Sequence, residues 1–302
     1  MRVLLTTPFV IASFGEDRDG ELYVVDWLGG AVYQISPAGP PAGGLLASVL
    51  PGSRSVPAGT VATAFATMIW TGSEPATDCG IAPLTSWPIA QFVYQTTDPS
   101  TSALVGTPYT PVRIDPGGGQ TFLVAVTPAA PTDASTLLFA FSCAGVPPPP
   151  VIPGLNTLLL SAGSGPVPDI LAMAATLTHD GVVTIRPSVA GAFTVAIVNA
   201  GADAPITAAT DVGDLPLAAS ICASDPGTSA CLAAATASVT RDAAAGATAT
   251  FTVFLTASGP VAFDPAAHRI TVRFTGPDGV TRGLTSVAVR TVGSVLLPKV
   301  PQ

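Results

Sequence analysis

The sequence has few charged side chains and almost no lysine. Charged residues make up 10% of the 302 residues, and the only lysine is Lys299. Chemistry that needs a lysine in the body of the chain, such as a phosphate-binding P-loop or a Schiff base, is therefore nearly excluded. The formal net charge of −8 leaves no basic surface for phosphates, which argues against nucleic-acid binding.

Residues that commonly carry catalysis are also scarce. The two histidines, His179 and His268, have neither a second histidine nor a cysteine at the spacing of metal ligands, and the Gly-x-Ser-x-Gly motif of serine hydrolases is missing. Asp17 and Asp19 are expected to open a turn, because the further ligands of a calcium-binding loop are missing. A glycosidase pair of carboxylates is not excluded by sequence alone, although most acidic residues lie beside glycine or proline, where turns explain them. We expect no catalytic residue, no metal site and no cofactor, and therefore no enzyme.

No apolar segment is long enough to span a membrane. The longest apolar stretch near the middle of the chain, 155–177, is interrupted by two glycines and two prolines. Proline and glycine together make up about a fifth of the chain, yet the regular β-type segments between them argue against disorder. The hydrophobic fraction of 48% is high enough for each part of the chain to bury a core.

The most informative positive feature is a pattern that occurs twice, roughly 128 residues apart. The matched segments keep the same order, and their spacing drifts by only a few residues. Each segment of the first copy has a match in the second copy, and the pairs are 65–69 with 193–197, 98–102 with 225–229, 121–126 with 250–255, and 137–141 with 270–274. A repeat of this length indicates two copies of one structural module.

Within both copies the apolar residues recur with a period of two. Phe122, Val124 and Val126 would lie on the buried face of one strand, and 251–255 repeats the arrangement. Turn signals about every ten residues separate such strands, which is typical of a β-sandwich. A further turn signal at 179–181 predicts one extra hairpin in the second copy.

The four cysteines, Cys79, Cys143, Cys222 and Cys231, fall two in each copy. An even count divided in this way favours one disulfide within each copy, with four buried thiols as the alternative. Cys143 continues an alternating strand and should face the core, whereas Cys222 and Cys231 flank an Asp-Pro-Gly turn that could fold them together. Neither pair has the short Cys-x-x-Cys spacing of a zinc site. Disulfides imply an oxidising compartment, which is the periplasm, the cell surface or the extracellular medium.

Residues 9–36 contain three short β-type segments separated by glycine turns, which predicts a meander. The sequence Phe-Gly-Glu-Asp-x-Asp-Gly-Glu-Leu-Tyr-Val-Val-Asp at 14–26, followed by Gly-Gly-x-Val-Tyr-x-Ile at 29–35, resembles the last blade of a glucose/sorbosone dehydrogenase β-propeller. That family consists of quinoprotein (PQQ-dependent) sugar dehydrogenases of bacteria. One blade cannot close a propeller, and the family's catalytic and cofactor residues lie on other blades, so none transfers to this chain. The resemblance implies that the chain is the C-terminal part of a larger protein or starts inside a longer gene.

The two copies loosely resemble the immunoglobulin-like domains at the C-termini of bacterial surface and secreted proteins, through segments 117–126 and 266–274. This resemblance concerns the fold class and transfers no functional residue. We predict an all-β chain with two tandem immunoglobulin-like β-sandwiches preceded by a short β-meander. The expected parts are a partial propeller blade at 1–36, a linker at 37–53, a first sandwich at 54–146, a proline linker at 147–150, a second sandwich at 151–292, and a tail at 293–302.

The aromatic residues of the first copy cluster around Trp70, Trp87, Phe92 and Tyr94. One hypothesis places them in the core around the expected disulfide. The other makes Trp70 and Trp87 ligand-contacting aromatics on a platform for sugar rings. The second copy contains no tryptophan, so such a platform would belong to the first copy alone.

These features favour a non-catalytic module with a structural, adhesive or assembly role, located in the periplasm, at the cell surface or outside the cell. One alternative is a C-terminal accessory region of a PQQ-dependent sugar dehydrogenase whose catalytic propeller lies elsewhere, and another is a carbohydrate-binding module. The expected partners are other protein subunits, because an incomplete blade leaves open strand edges, or surface glycans. Nucleic acid and a membrane span are not expected.

Overall fold

The structure, a computed structural model, describes residues 11–16, 22–26, 31–35, 43–84, 87–186 and 189–292. Every regular element in these ranges is a β-strand, so the predicted all-β class is confirmed. The same ranges contain no helix long and apolar enough to cross a membrane. The chain divides into two compact units, 1–44 and 45–302, and the second unit contains two β-sandwiches.

The first unit contains the meander expected from the sequence. Its strands are β1 (Ile11–Glu16), β2 (Leu22–Asp26) and β3 (Ala31–Ile35), which form an antiparallel sheet in the order β1-β2-β3. Val24 on the central strand is buried, whereas Phe14 and Val32 on the outer strands are exposed. The segments that join the strands lie outside the described residues, so the turn expected at 17–20 stays a prediction.

The first sandwich, called sandwich 1 below, consists of nine strands. They are β4 (Leu45–Leu50), β5 (Ser53–Pro57), β6 (Ala62–Trp70), β7 (Ala76–Pro83), β8 (Ile89–Thr97), β9 (Val112–Ile114), β10 (Gly119–Pro128), β11 (Thr132–Ser142) and β12 (Thr157–Gly163). A four-stranded sheet has the order β4-β6-β10-β8, and a five-stranded sheet has the order β5-β12-β11-β7-β9. The neighbouring strands β5 and β12 run parallel, and the other pairs are antiparallel.

The second sandwich, sandwich 2, repeats this topology strand for strand. Its strands are β13 (Ile170–Thr176), β14 (Val182–Ile185), β15 (Gly191–Asn199), β16 (Ala204–Asp211), β17 (Leu217–Ser224), β18 (Ser238–Ala243), β19 (Thr248–Ala257), β20 (Arg269–Thr275) and β21 (Thr281–Thr291). The two sheets have the orders β13-β15-β19-β17 and β14-β21-β20-β16-β18. Each strand occupies the place of the strand nine positions earlier in the chain, including the parallel pair β14 and β21. The duplication expected from the sequence is therefore present in the fold.

The core of each sandwich lies between its two sheets, as the two-residue alternation of apolar side chains along the strands predicts. Phe122, Val124 and Val126 on β10 are fully buried, and β19 repeats the stripe with Phe251 in the place of Phe122. Phe251 packs against Phe274 of the opposite sheet, with ring centroids 5.5 Å apart. Full burial of a side chain of this size stabilises the fold by about 1.5–3 kcal/mol.

One matched segment of the repeat is shifted by one residue. The strand pairing aligns Ala66 of β6 with Val195 of β15, so the counterpart of Phe65 is Thr194 and not Phe193. Phe65 is 41% exposed, whereas Phe193 is 3% exposed. A shift of one residue moves a side chain to the opposite face of the sheet, so two phenylalanines that match in sequence have opposite surroundings.

The turn at 179–181 joins two different sheets, so the predicted hairpin is wrong. β13 pairs with β15 in one sheet, whereas β14 pairs with β21 in the other. His179 and Gly181 adopt φ angles of 58° and 71°, and the Asp180 carboxylate accepts hydrogen bonds from the Thr178 hydroxyl and the Val182 amide. β4 and β5 make the same crossing in sandwich 1, so the second copy has no additional element. A turn signal marks where the chain changes direction, but not which sheet the next strand joins.

The sandwiches begin and end at residues different from those expected. β4 and the start of β5 lie in segment 37–53, where the abundance of proline, glycine and alanine predicted a linker. The proline run at 147–150 joins β11 to β12, and β12 completes sandwich 1 by pairing with β5 and β11. The chain therefore leaves sandwich 1 after Gly163. The pairing of β5 with β12 joins segments far apart in the sequence, and no local pattern shows it.

Candidate functional site

Each sandwich contains one disulfide, in the pairing that the distribution of cysteines favours. Cys79 on β7 is bonded to Cys143 after β11, with Cα atoms 4.0 Å apart, and Cys222 on β17 is bonded to Cys231 in the loop before β18, with Cα atoms 5.6 Å apart. The first bridge joins β7 to the residue that follows its neighbouring strand β11 in the five-stranded sheet, whereas the second fastens a loop to a four-stranded sheet. The bridges are therefore not equivalent within the repeat, and no free cysteine remains in the described residues.

The aromatic side chains of sandwich 1 lie mostly in or against its core. Trp70 is only 8% exposed, and its indole N–H donates a hydrogen bond to the Glu74 carbonyl at 2.5 Å. Trp87 is half-buried and donates to the Ser135 hydroxyl. Tyr94 is buried, and this burial raises the pKa of its phenol. Trp70 thus offers little surface to a sugar ring, and glycan binding through Trp70 and Trp87 stays a prediction.

The histidines lie apart from each other and from any cluster of metal ligands. His179 occupies the turn between the two sheets of sandwich 2, and the Nδ1 atom of His268 lies 2.8 Å from the Ala262 carbonyl oxygen. Over the ranges that the structure describes, no group of three or more His, Cys, Asp or Glu side chains could hold a metal ion.

Two aspartates stabilise equivalent loops in the two copies. Oδ1 of Asp98 accepts the backbone N–H groups of Ser100 and Thr101, both at 2.9 Å, and Oδ1 of Asp225 accepts the N–H of Thr228 at 2.9 Å. The hydroxyl of Ser100, followed by the N–H of Thr101, lowers the pKa of Asp98 to about 2. A hydrogen bond from the Thr228 hydroxyl likewise lowers the pKa of Asp225. These carboxylates serve as turn acceptors, as expected for aspartates that precede proline.

A cluster of polar side chains lies where the two sandwiches meet. We call it the junction, and it consists of Arg54, Ser55, Ser161, Asp169 and Arg282. All of these residues are buried except Arg54, which is half-buried. Buried polar groups are stable only when their hydrogen bonds are made within the protein, so the partners of each group determine what the junction can do.

Asp169 forms the main contact from sandwich 2 to sandwich 1. Its Oδ2 atom accepts hydrogen bonds from Nε and Nη2 of Arg54, at 2.9 and 2.8 Å. Its Oδ1 atom accepts the backbone N–H of Ser55 at 2.8 Å. The Asp169 side chain is 4% exposed, so these charge-assisted bonds replace nearly all of its hydration.

Sandwich 2 holds Asp169 in place through its backbone. The N–H of Asp169 donates to the Asn199 side-chain oxygen at 3.1 Å, and its carbonyl accepts the N–H of Ala200 at 2.8 Å. Gly201 lies directly on this segment, because a Cβ atom there would come within 2.2 Å of the Val167 carbonyl oxygen. The loop after β15 therefore fixes the segment that connects the sandwiches.

Arg282 at the start of β21 makes the second contact across the junction. Its Nη1 atom donates to the Ser55 hydroxyl at 2.8 Å, and the hydroxyls of Ser55 and Ser161 are hydrogen-bonded at 2.6 Å. Its Nη2 atom is paired with the carboxylate of Asp278. Arg282 therefore ties the β20–β21 turn of sandwich 2 to β5 and β12 of sandwich 1.

A backbone contact lies next to this arginine. The N–H of Leu284 on β21 donates to the hydroxyl of Ser53 on β5 at 2.7 Å. At Gly283 a Cβ atom would lie 2.6 Å from the Cβ of Ile170, so β21 and β13 can approach this closely only with glycine. The two strands of sandwich 2 that contact sandwich 1 are thus packed tightly against each other.

A cleft of about 540 Å³ opens beside the junction, and Asp133, Ser164, Asp278 and Arg282 contribute to its lining. Burial raises the pKa of Asp278, but the Val280 N–H and the Arg282 guanidinium outweigh this effect, and the net pKa is lowered. The charged groups of Asp278 and Arg282 are paired with each other, and the cleft is lined by residues of both sandwiches and of the segment that joins them.

The junction could not be predicted from local sequence patterns because its partners are far apart in the chain. Arg54 and Asp169 are separated by 115 residues, and Ser55 and Arg282 by 227. The low charge content of the chain was the one signal that could have indicated the junction. An arginine or aspartate in an otherwise uncharged β-rich segment needs a specific partner, and Arg54 and Asp169 are such residues.

No family model matches this sequence, and the comparison with curated proteins finds no match. Three solved structures illustrate the remaining similarity. A protein of unknown function from Porphyromonas gingivalis W83 is 10% identical, with 81% of this chain and 98% of that chain covered and a TM-score of 0.23. The CupB6 tip adhesin from Pseudomonas aeruginosa is 10% identical, with coverage of 83% and 100% and a TM-score of 0.21. BcpA, the major pilin subunit of Bacillus cereus, is 11% identical, with coverage of 71% and 69% and a TM-score of 0.26.

At TM-scores this low, the similarities carry no argument about function, and the fold assignment rests on the strand pairing described above. Because no family model matches the sequence, the resemblance of segment 14–35 to a propeller blade stays a hypothesis.

Proposed function

We propose that this chain is a non-catalytic structural module of an exported or cell-surface protein, in which sandwiches 1 and 2 act as one rigid spacer. The junction carries this proposal. Polar interfaces between domains often permit relative motion, so rigidity here depends on the geometry of the individual bonds. Asp169 and Arg282 of sandwich 2 make directional, charge-assisted hydrogen bonds to Arg54 and Ser55 of sandwich 1, and these bonds can form together at only one relative orientation of the sandwiches.

The connection between the sandwiches supports the same proposal. Sandwich 1 ends at Gly163 and sandwich 2 begins at Ile170, so only a short segment lies between them. Val167 accepts the N–H of Ala202 at 2.9 Å, and Asp169 is held at both its backbone N–H and its side chain. A segment fixed at several points transmits orientation, whereas a free linker would not.

The disulfides support the location. Two bridges in a chain without free thiols among its described residues are typical of proteins that fold in oxidising compartments. The role in a sugar dehydrogenase rests on the resemblance of segment 14–35 alone. Carbohydrate binding has less support than the spacer role, because Trp70 is buried.

The test of rigidity is the rotational diffusion of the full chain, measured residue by residue through ¹⁵N relaxation. We expect the amides of both sandwiches to report one common tumbling time. Asp169→Ala should loosen the junction and separate the two tumbling times. Asp211→Ala is the matched control, because Asp211 pairs with Arg273 at 3.6 Å on an exposed surface of sandwich 2 and should change nothing. Independent tumbling in the wild-type chain would overturn the spacer role.

The location has a separate test. Thiol alkylation of the chain from its native source, under denaturing and non-reducing conditions, should modify no cysteine. Modification of all four cysteines would remove the basis for export and leave the rigidity result untouched, so the two parts of the proposal fail independently.

A further inference from the structure

The outer face of the four-stranded sheet of sandwich 1 carries no charged side chain. On β6 the outward residues are Thr63, Phe65, Thr67 and Ile69, which alternate with buried residues. The outward positions of β4, β8 and β10, all within the described ranges, are also apolar, hydroxyl or amide side chains. We call this surface the outer face of sandwich 1.

The strand register arranges the apolar side chains in rows across the outer face. Leu50, Phe65 and Leu123 lie side by side on β4, β6 and β10, and Leu46 lies beside Ile69. Leu50 is 57% exposed, and Leu46, Phe65 and Ile69 are 44%, 41% and 42% exposed. Leu123 is half-buried between them, so large apolar side chains form a regular and largely solvent-exposed array, which is typical of an interaction surface.

Sandwich 2 shows that the fold does not require this row. Its strands have the same order and register, and the counterparts of Leu50, Phe65 and Leu123 are Ala175, Thr194 and Thr252. Small or hydroxyl side chains thus suffice at these three positions, whereas the row of Leu46 and Ile69 is matched in sandwich 2 by Leu171 and Val198. The difference between the copies is therefore the row of Leu50, Phe65 and Leu123, and the contact with a partner supplies a reason for it.

Charge and area favour a second copy of this chain as the partner. A chain with a net charge of −8 repels its own copies wherever acidic side chains meet, and the outer face is a sheet surface where none would meet. In a two-fold contact the same patch lies on both sides, so an uncharged apolar row is complementary to itself. Four strands about 4.8 Å apart and six to ten residues long at about 3.3 Å each give roughly 540 Å². This value is below the approximately 800 Å² per partner of a standard interface, which fits a weak and reversible dimer.

We propose that the outer face of sandwich 1 packs against the same face of a second copy and forms a two-fold, sheet-on-sheet dimer. Face-to-face packing of sheets buries such rows of side chains between layers about 10 Å apart. The apolar row lies outside the junction and the five-stranded sheet, although Arg54 of the junction reaches the edge of the outer face by donating a hydrogen bond to the Thr63 hydroxyl at 3.0 Å. The variants that test the dimer leave both of these residues unchanged.

Sedimentation equilibrium of the full chain, from micromolar to millimolar concentration, tests the proposal. We expect a monomer–dimer equilibrium in the wild-type chain and at least a tenfold weaker association in Phe65→Asp, roughly the effect of one interface hot spot. Thr194→Asp places the same charge at the corresponding position of sandwich 2 and should leave association unchanged. A wild-type chain that stays monomeric throughout, or equal weakening by both variants, overturns the proposal. So does a dimer that survives Phe65→Asp, since it would form elsewhere, for example through the open edge of β4.

A cross-linking experiment tests the geometry without relying on Phe65. All four cysteines are in disulfides, so Thr67→Cys introduces a single free thiol near the middle of the outer face. Mild oxidation should give a covalent dimer that a reducing agent converts back to the monomer. Ala196→Cys, at the corresponding position of sandwich 2, should stay monomeric under the same conditions. Equal cross-linking of the two variants would mean random collision and would count against the dimer.

Discussion

Removal of the Asp169 carboxylate should destabilise the folded chain by about 3 kcal/mol, the lower end of the cost of removing one partner from a buried ion pair. The carboxylate accepts two hydrogen bonds from Arg54 and one from the Ser55 backbone. Asp169→Ala leaves the guanidinium and the buried N–H of Ser55 without this acceptor. The lower end applies because the Arg54 side chain is 14% exposed, so water can replace part of the lost interaction.

A double-mutant cycle separates the interaction from the effect of each side chain. Arg54→Met should cost a similar amount, because it leaves a buried carboxylate with Ser55 as its one partner across the junction. Arg54→Met combined with Asp169→Leu removes both charges and should cost about 1 kcal/mol or less, since apolar replacements of a buried pair are often neutral. With Asp169→Leu alone as the matching single variant, expected to cost about as much as Asp169→Ala, the resulting coupling is about 5 kcal/mol, well above the 0.3–0.5 kcal/mol error of additivity.

Urea unfolding provides the assay, with tryptophan fluorescence reporting on Trp70 and Trp87 in sandwich 1 together with Trp27, and circular dichroism reporting on the whole chain. Asp211→Ala is the control, because its exposed pair with Arg273 should contribute less than about 1 kcal/mol. The reasoning is refuted if Asp169→Ala costs no more than Asp211→Ala. It is also refuted if the two junction substitutions are additive.

Disulfide loss, core truncation and acid titration give three further tests. Cys79→Ser removes a disulfide that spans 64 residues and should lower the free energy of unfolding by about 4 kcal/mol through loop entropy. Cys222→Ser removes a disulfide that spans 9 residues and should lower it by about 3 kcal/mol, so thermal unfolding should find Cys79→Ser the less stable variant. Phe193→Ala should cost about 3–5 kcal/mol in urea unfolding and Phe65→Ala less than about 1 kcal/mol, and equal effects would contradict the one-residue shift. The pKa of Asp98 is about 2 in the folded chain and lies below its ordinary value of 3.8, so the loop is stabilised above about pH 4 and loses this stabilisation as the pH falls through 2. An NMR titration of the Asp98 carboxyl should find that midpoint, and a midpoint near 3.8 would contradict the hydrogen-bonded loop.

The all-β class and the repeat were predictable because both depend on local patterns. Phe122 and Phe251 lie in strands where alternate residues are buried, and this alternation is visible in the sequence. The turn aspartates were predictable for the same reason, since Asp98 and Asp225 bond to groups two and three residues later. The cysteine pairs were predictable because each copy contains only two cysteines.

Strand partners and domain limits were not predictable in this way. β12 contains buried residues at most of its positions, so its burial pattern does not identify a face or a module. Its partners are β11, which is nearby in sequence, and β5, which is not. The turn at 179–181 had the composition of a hairpin turn, but the choice of sheet for β14 depends on the distant strand β21. Local sequence fixes the direction of a turn, whereas tertiary contacts select the partner.

The junction adds a reason why a repeat conceals the residues that join its copies. In sandwich 1 the hydroxyls of Ser55 and Ser161 are buried against sandwich 2, whereas their counterparts in sandwich 2, Thr184 and Arg290, bond to each other at 3.1 Å. Arg290 also lies 5.2 Å from the centre of the Phe263 ring, so this surface is satisfied within its own sandwich. Core positions match between the copies because each copy buries them for itself. Positions that contact a neighbour do not match, because the two copies have different neighbours. A mismatch at equivalent positions is therefore one sequence signal of a contact surface, as the pairs Ser55 with Thr184 and Ser161 with Arg290 show at the junction.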